Sequence, residues 1–220
     1  MSINKMELQQ VVAGMDIGKR VDYSVITILE QYQEYEYKDL GGGKHAVGKP
    51  FYNIADQHRL ALDTPHTAQV DYVTRLMNNT HLLYNKAPTL IVDASGIGES
   101  HFDSFIERGL NVYGVVSTAG GKVNLSKRRY TVPRDDITGA LILVMENRRL
   151  KIPDDLPFKD VLIKELTTFT WKQRGSGFKA EHESGCHDDT VIALAYPLWW
   201  CERNQGRRIK SFPKKELGIR

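Results

Sequence analysis

The sequence predicts an α/β domain in which a mixed sheet is flanked by helices. Three observations lead there: the first sixty residues read as consecutive antiparallel strands, the stretch from about 66 to 116 alternates helix and strand, and two β-prone runs end in an acid. A crossover through a helix brings the chain back in the same direction, so the second stretch implies parallel pairing alongside the antiparallel pairs.

In order, residues 11–18 are apolar and β-prone with Asp16 near their end, and residues 23–30 follow after a short turn, which reads as a hairpin. Residues 31–38 alternate Tyr with polar side chains, Gly41-Gly42-Gly43 supplies a turn, and 51–62 form a third strand, long and partly exposed. Asp63-Thr64-Pro65 opens a helix with Val70, Val73, Leu76 and Met77 on one face, Thr64 being placed to cap it and Pro65 to sit in its first turn. Residues 89–93 are a short buried strand tipped by Asp93, 94–98 a glycine-rich turn, 99–108 a helix and 112–116 another buried strand. Pro133 begins an amphipathic helix to about 147, 150–152 are extended, 158–167 helical, and 169–181 a hairpin turning at Arg174-Gly175-Ser176-Gly177. The hairpin leads to Gly185-Cys186-His187-Asp188-Asp189-Thr190 and an almost wholly apolar helix at 191–200.

With 220 residues and 41% hydrophobic content the chain can bury one substantial core. The expected organisation is a short leader at 1–10, one domain at 11–202 and a basic tail at 203–220. A net charge of +3 and a pI near 8.7 permit a polyanionic partner without demanding one. Cys186 and Cys201 are too few for a disulfide framework or a four-cysteine zinc site, which fits a reducing compartment. No secretory signal opens the chain and no apolar run approaches the roughly 20 residues that span a bilayer, so a soluble intracellular protein is expected.

Asp188 and Asp189 pose an electrostatic problem, because adjacent carboxylates repel and burial disfavours their ionisation. One solution is that Asp188 caps the last helix. The other is a cation. Asp16 and Asp93 end strands that can be neighbours, and sites in such sheets gather at the carboxyl ends of strands. If the last helix crosses that sheet, Asp188 or Asp189 joins them. Converging carboxylates without a histidine or cysteine ligand set suit Mg²⁺ or Mn²⁺ rather than zinc, and two ions about 4 Å apart are the usual arrangement for phosphodiester cleavage. Asp16, on the central strand, is the candidate to bridge them.

The same residues carry a resemblance. Asp16-Ile17-Gly18 with Asp22 and Ser24, Leu90-Ile91-Val92-Asp93 with Ala94 and Gly96, Val132-Pro133-Arg134-Asp135-Asp136, the run Arg148-Arg149-Leu150-Lys151-Ile152-Pro153, Gly185-Cys186-His187-Asp188-Asp189 and the closing apolar helix resemble, in order, the nuclease domain of the large terminase subunit of tailed bacteriophages. The resemblance covers about 11–200 and implies a ribonuclease H-like fold of the RuvC and retroviral-integrase type. It implies an endonuclease that cuts concatemeric viral DNA as genome packaging starts and ends, with divalent metal held by Asp16, Asp93 and the Asp188/Asp189 pair. The partners implied are double-stranded DNA, a packaging ATPase domain, the small terminase subunit and the portal protein, in the cytoplasm of an infected or lysogenic bacterium. The packaging ATPase of that family has no counterpart in the sequence, so a nuclease fragment or a freestanding nuclease is expected. The single Walker-like match, from Gly43 to Gly48-Lys49, continues into Pro50 where Ser or Thr is required and reads as a hairpin turn.

Lys127, Arg128 and Arg129, with Lys172, Arg174 and Lys179 on the second hairpin, are the basic clusters nearest the acids in sequence and the candidates for DNA-backbone contact. His187 and Asp22 read as structural, and Asp135 and Asp136 suit the dipole at the start of their helix. Trp171, Trp199 and Trp200 read as core anchors. Three other readings use the same residues: a junction resolvase or transposase type of ribonuclease H-like nuclease, an actin-like kinase or ATPase whose first phosphate loop would be Asp16-Ile17-Gly18, and a non-catalytic module docking on DNA or portal.

Overall fold

The computed structural model describes residues 2–18, 22–38, 43–174, 177–182 and 188–205. An antiparallel meander, β1 (Ser2–Asp16), β2 (Val25–Lys38) and β3 (Lys44–Arg59), leads to α1 (His66–Tyr84), β4 (Thr89–Asp93), α2 (Gly98–Glu107) and β5 (Val112–Thr118). A short hairpin, β6 (Asn124–Ser126) and β7 (Arg129–Pro133), runs directly into α3 (Arg134–Glu146). Then come β8 (Leu150–Lys151), α4 (Lys159–Thr168), a separate hairpin of β9 (Phe169–Arg174) and β10 (Gly177–His182), and α5 (Asp189–Arg203). Eight strands form one mixed sheet in the order β6-β7-β5-β4-β1-β2-β3-β8. The pairs β1/β4, β4/β5, β5/β7 and β3/β8 are parallel.

Alternation along the central strands separates two cores. Val12, Ile91, Val115 and Val132 face α3 and α5, while Val11, Ala13, Met15, Leu90 and Val92 face α1 and α2. The sheet is thus buried on both sides by helices, as its parallel strands require. No helix among the described residues is long and apolar enough to cross a membrane.

Several boundaries differ from the sequence reading. Residues 2–10, expected as a leader, are the outer half of β1 and pair with residues 31–38, which continue β2. In this outer ribbon residues 3–6 are exposed and most of the other described side chains are half-buried, and its sequence lacks the apolar signature of the inner half. β3 starts at Lys44, so the Walker-like match is neither a phosphate loop nor a turn but the exposed beginning of a strand. Thr64 does not cap α1; its hydroxyl donates to the Ala61 carbonyl (2.5 Å) and Pro65 takes the cap position.

Everything between Asp189 and Cys201 in α5 is buried. Three contacts fix this helix. Near its C-terminal end, Arg149 forms a two-pronged pair with Glu202 (2.8 and 3.0 Å), and the Tyr52 hydroxyl donates to the same carboxylate (2.5 Å). Burial opposes the charge on Glu202, yet these hydrogen bonds hold its carboxyl below the usual range. At the N-terminal end, Glu165 of α4 accepts from the Thr190 amide (2.9 Å), the Thr190 hydroxyl and the Val191 amide (3.4 Å), and so satisfies the helix's leading N–H groups. Between them, α5 lies directly on β1: a Cβ at Gly14 would sit 2.2 Å from the Ala193 carbonyl oxygen and 2.3 Å from Pro197 Cδ.

The Gly14 contact predicts a large, local cost. Gly14→Ala should lower the unfolding free energy by about 3 kcal/mol in urea titration, because the backbone of α5 must retreat. Gly139→Ala on α3, where an added Cβ meets nothing within 4 Å, should be neutral or stabilising by about 0.5–1 kcal/mol.

Candidate active site

Parallel pairing of β1 with β4 sets Met15 beside Val92, so the residues that follow, Asp16 and Asp93, are side by side at the sheet's carboxyl edge. The approach of α5 to Gly14 lays the start of that helix over the same edge. Asp16, Asp93 and Asp188 line a single cavity of about 200 Å³, together with Ser117 at the end of β5, Arg134 at the start of α3 and Tyr196 of α5; Ile137, Thr138 and Ile192 complete its wall.

The two adjacent acids have different surroundings. Asp188 occupies the cap position of α5, and its carbonyl accepts from the Ile192 amide (2.9 Å), but its side chain makes no capping bond. Its Oδ2 instead accepts from Arg134 Nη2 (3.0 Å), so the capping reading of Asp188 is set aside. Asp189 does not line the cavity; it is buried, and its Oδ2 accepts from the Tyr23 amide (3.2 Å), tying α5 to the chain entering β2. Asp93 Oδ1 accepts from the Ser95 amide (2.8 Å), which orients it at the strand's end.

Burial, followed by the charges of Asp93, Asp189 and Asp188, holds the Asp16 carboxyl well above the ordinary carboxylate range, against the pull of Arg134. Burial, followed by the charges of Asp16, Asp93 and Asp188, likewise raises the Tyr196 phenol well above its ordinary range, against the pull of Arg134. Glu165 is raised by burial, and its bonds from Thr190 oppose that shift.

Of the predicted acids, Asp16, Asp93 and Asp188 are brought together and Asp189 stands beside them as an electrostatic neighbour. The basic residues fare differently. Arg129 is held by Glu99 (2.5 Å) and Asp103 (2.8 Å) of α2, with its guanidinium 4.8 Å from the Phe102 ring, on the face of the sheet away from α5. Arg128 lies 5.8 Å from the Tyr113 ring, and Lys127 is in the β6–β7 turn. That turn begins β7, whereas the cavity lies at the other end of the strand, so these three residues are not brought to it. The side chains of Lys172, Arg174 and Lys179, and His187 itself, lie outside the described residues.

Three residues of the site escaped the sequence reading. Arg134 was hidden as an ordinary first-turn residue of α3, and Glu165 as one charge among many on α4. Tyr196 had a signal: Asp188, Ile192 and Tyr196 recur every four residues and share one helix face.

Among the described residues, no three His, Cys, Asp or Glu side chains are drawn together closely enough to hold a metal ion as they stand. The chemistry of the donor set nevertheless suits one: the cavity is lined by oxygen donors, with three carboxylates opposed by a single guanidinium.

The fold is similar to solved nuclease domains of large terminases. The large terminase nuclease of the thermophilic phage G20c, solved with bound zinc, matches with 21% identity over 86% of this chain and 79% of that one, at a TM-score of 0.52. The human cytomegalovirus terminase nuclease domain, soaked with manganese, matches with 10% identity over 90% of this chain and 87% of that one, also at 0.52. No protein-family model matches the sequence, and no curated protein matches it significantly. The chain has the ribonuclease H-like mixed α/β fold of the large terminase nuclease domains.

The raised Asp16 proton affinity has a measurable consequence. The folded state holds this proton at pH values where the unfolded chain has released it, so stability falls as pH rises from about 4 through the folded-state value and stays lost above it. In EDTA, Asp16→Asn should therefore melt higher than the parent at neutral pH, by ~2–4 °C for each kcal/mol relieved, and the difference should close as the pH is lowered toward about 4.

Proposed function

We propose that this chain is a divalent-metal-dependent endodeoxyribonuclease that hydrolyses phosphodiesters as a large terminase nuclease does, cutting concatemeric phage DNA when packaging begins and ends. The observation that carries this reading is the meeting of Asp16, Asp93 and Asp188, from two parallel strands and a crossing helix, on one cavity at the sheet's carboxyl edge. The fold shared with the terminase nucleases, two of them solved with zinc or manganese, supports it.

Asp16, Asp93 and Asp188 would hold the metal, with Asp16 central between the other two. The three carboxylates, as oxygen ligands, favour Mg²⁺ or Mn²⁺, and two ions is the number this reading adopts. When bound, such ions supply a water of lowered pKa and positive charge against the negative charge developing on the phosphate. The chain's own residues prepare the site. Burial and the neighbouring acids raise the proton affinity of Asp16, and a cation held beside its carboxyl would oppose that shift. Asp189 anchors the helix start through Tyr23, and Tyr196 with Ile137 and Ile192 walls the carboxylates from bulk water.

DNA would be held through its backbone with little regard to sequence. Lys172, Arg174 and Lys179, on the β9–β10 hairpin that precedes the acidic start of α5 in sequence, are the residues this reading assigns to DNA. Arg129, already paired with two acids, is not assigned to DNA. The partners and setting that go with this reading are a packaging ATPase domain, the small terminase subunit and the portal, in the cytoplasm of the bacterial host.

A plasmid digest tests it. Nicking and linearisation are expected in Mg²⁺ or Mn²⁺ and not in EDTA, and Asp16→Ala or Asp93→Ala should each reduce the rate ~100-fold or more with the fold preserved. Undiminished cutting by both folded variants overturns the assignment.

A further inference from the structure

Among the described residues, Arg134 is the one basic side chain lining the cavity, and its contact is with an acid that the proposed function assigns to metal. We propose that Arg134 is a positioning residue that occupies Asp188 until a DNA phosphate draws its guanidinium away, so that phosphate binding releases Asp188 to the ion. This rests on the metal-dependent nuclease reading of the same cavity.

Three features make the exchange feasible. First, Asp188 is not needed to cap α5. It stands at the cap position without a side-chain capping bond, and Glu165 receives the Thr190 and Val191 amides instead. Asp188 can therefore change partner while the helix start keeps its hydrogen bonds. Second, the two partners differ in exposure: the Arg134 side chain is 47% exposed and that of Asp188 19%, so the guanidinium borders solvent while the carboxylate lies at the wall. Third, the guanidinium fork fits carboxylate and phosphate oxygens alike, and a phosphodiester presented at the cavity mouth competes for it directly.

Electrostatics gives the exchange its direction. A guanidinium and a divalent ion compete for the same carboxylate, so Arg134 on Asp188 weakens ion binding in the absence of DNA. A phosphate that takes the guanidinium removes the competitor. Ion and DNA then favour each other's binding, and by linkage the coupling is equal in both directions. The site thus gains its full ligand set only where there is a phosphodiester to cut.

Titration calorimetry with Mn²⁺ tests this on the parent, Arg134→Gln and Arg134→Lys, each with and without a short duplex carrying uncleavable phosphorothioate linkages. Without DNA, Arg134→Gln should bind Mn²⁺ at least ~5-fold more tightly than the parent. The duplex should tighten Mn²⁺ binding to the parent by a similar factor and leave Arg134→Gln nearly unchanged. Arg134→Lys, which keeps the charge, should stay close to the parent without DNA, a pattern that a merely structural role would not produce. Equal Mn²⁺ affinity of a folded Arg134→Gln and the parent overturns the exchange and leaves the metal site standing. A parent that binds no Mn²⁺ with or without DNA overturns the nuclease reading as well.

Discussion

The close passage of α5 over β1 is the constraint on which the remaining architecture depends. A helix buried along nearly its whole length has to find apolar surface on every side, and α5 finds it in the sheet below and in α3 and α4 around it. Pro197 lacks an amide, so the Ala193 carbonyl receives no helical hydrogen bond at that turn. That carbonyl and the proline ring are the atoms that press on Gly14. The strand without a side chain and the turn without an amide meet, and the depth of their contact fixes how far the start of α5 reaches over the tip of β1.

Once that distance is fixed, the electrostatics follow. Asp16 is half-buried at the tip of β1 beside three further acids, and burial together with their charges makes its ionisation costly. The opposing charge from Arg134 only partly offsets this. The protein tolerates the imbalance because the helix is held elsewhere, by Glu165 at one end and by the Arg149–Glu202–Tyr52 cluster at the other. Stability is supplied at the ends of α5 and given up beside Asp16, a division expected where a site is built to receive charge.

Much of this was legible in the sequence because it follows from short-range pattern. The acid-tipped strands at Asp16 and Asp93 announced themselves by apolar runs ending in a carboxylate, and the helices at 66–84, 98–107 and 134–146 by periodicity and breakers. What was not legible depends on pairing over long separations. The outer half of β1 is a strand only because β2 continues beside it. β7 is five residues long, and without it the position of Arg134 at the cavity has no basis in the sequence. The basic run Lys127-Arg128-Arg129 looked close to the acids because chain distance was the only measure; direction along β7 put it at the far end, where Glu99 and Asp103 claim Arg129.

The acid pair shows most clearly what geometry adds to composition. As neighbours in sequence, Asp188 and Asp189 are interchangeable candidates, and both lie close enough to raise the proton affinity of Asp16. The fold separates them: Asp188 stands at the cap position with non-helical backbone, and Asp189 opens the helix. Asp189 is turned inward and spent on the Tyr23 amide, where its charge is compensated by a backbone dipole and its position is fixed by burial. Asp188 is left at the wall of the cavity with a partner that has solvent access. The less buried acid is the one whose partner can be exchanged, and the more buried one keeps the first in place. Two identical side chains in succession thus have different surroundings, one tied to a backbone amide and the other at the cavity wall.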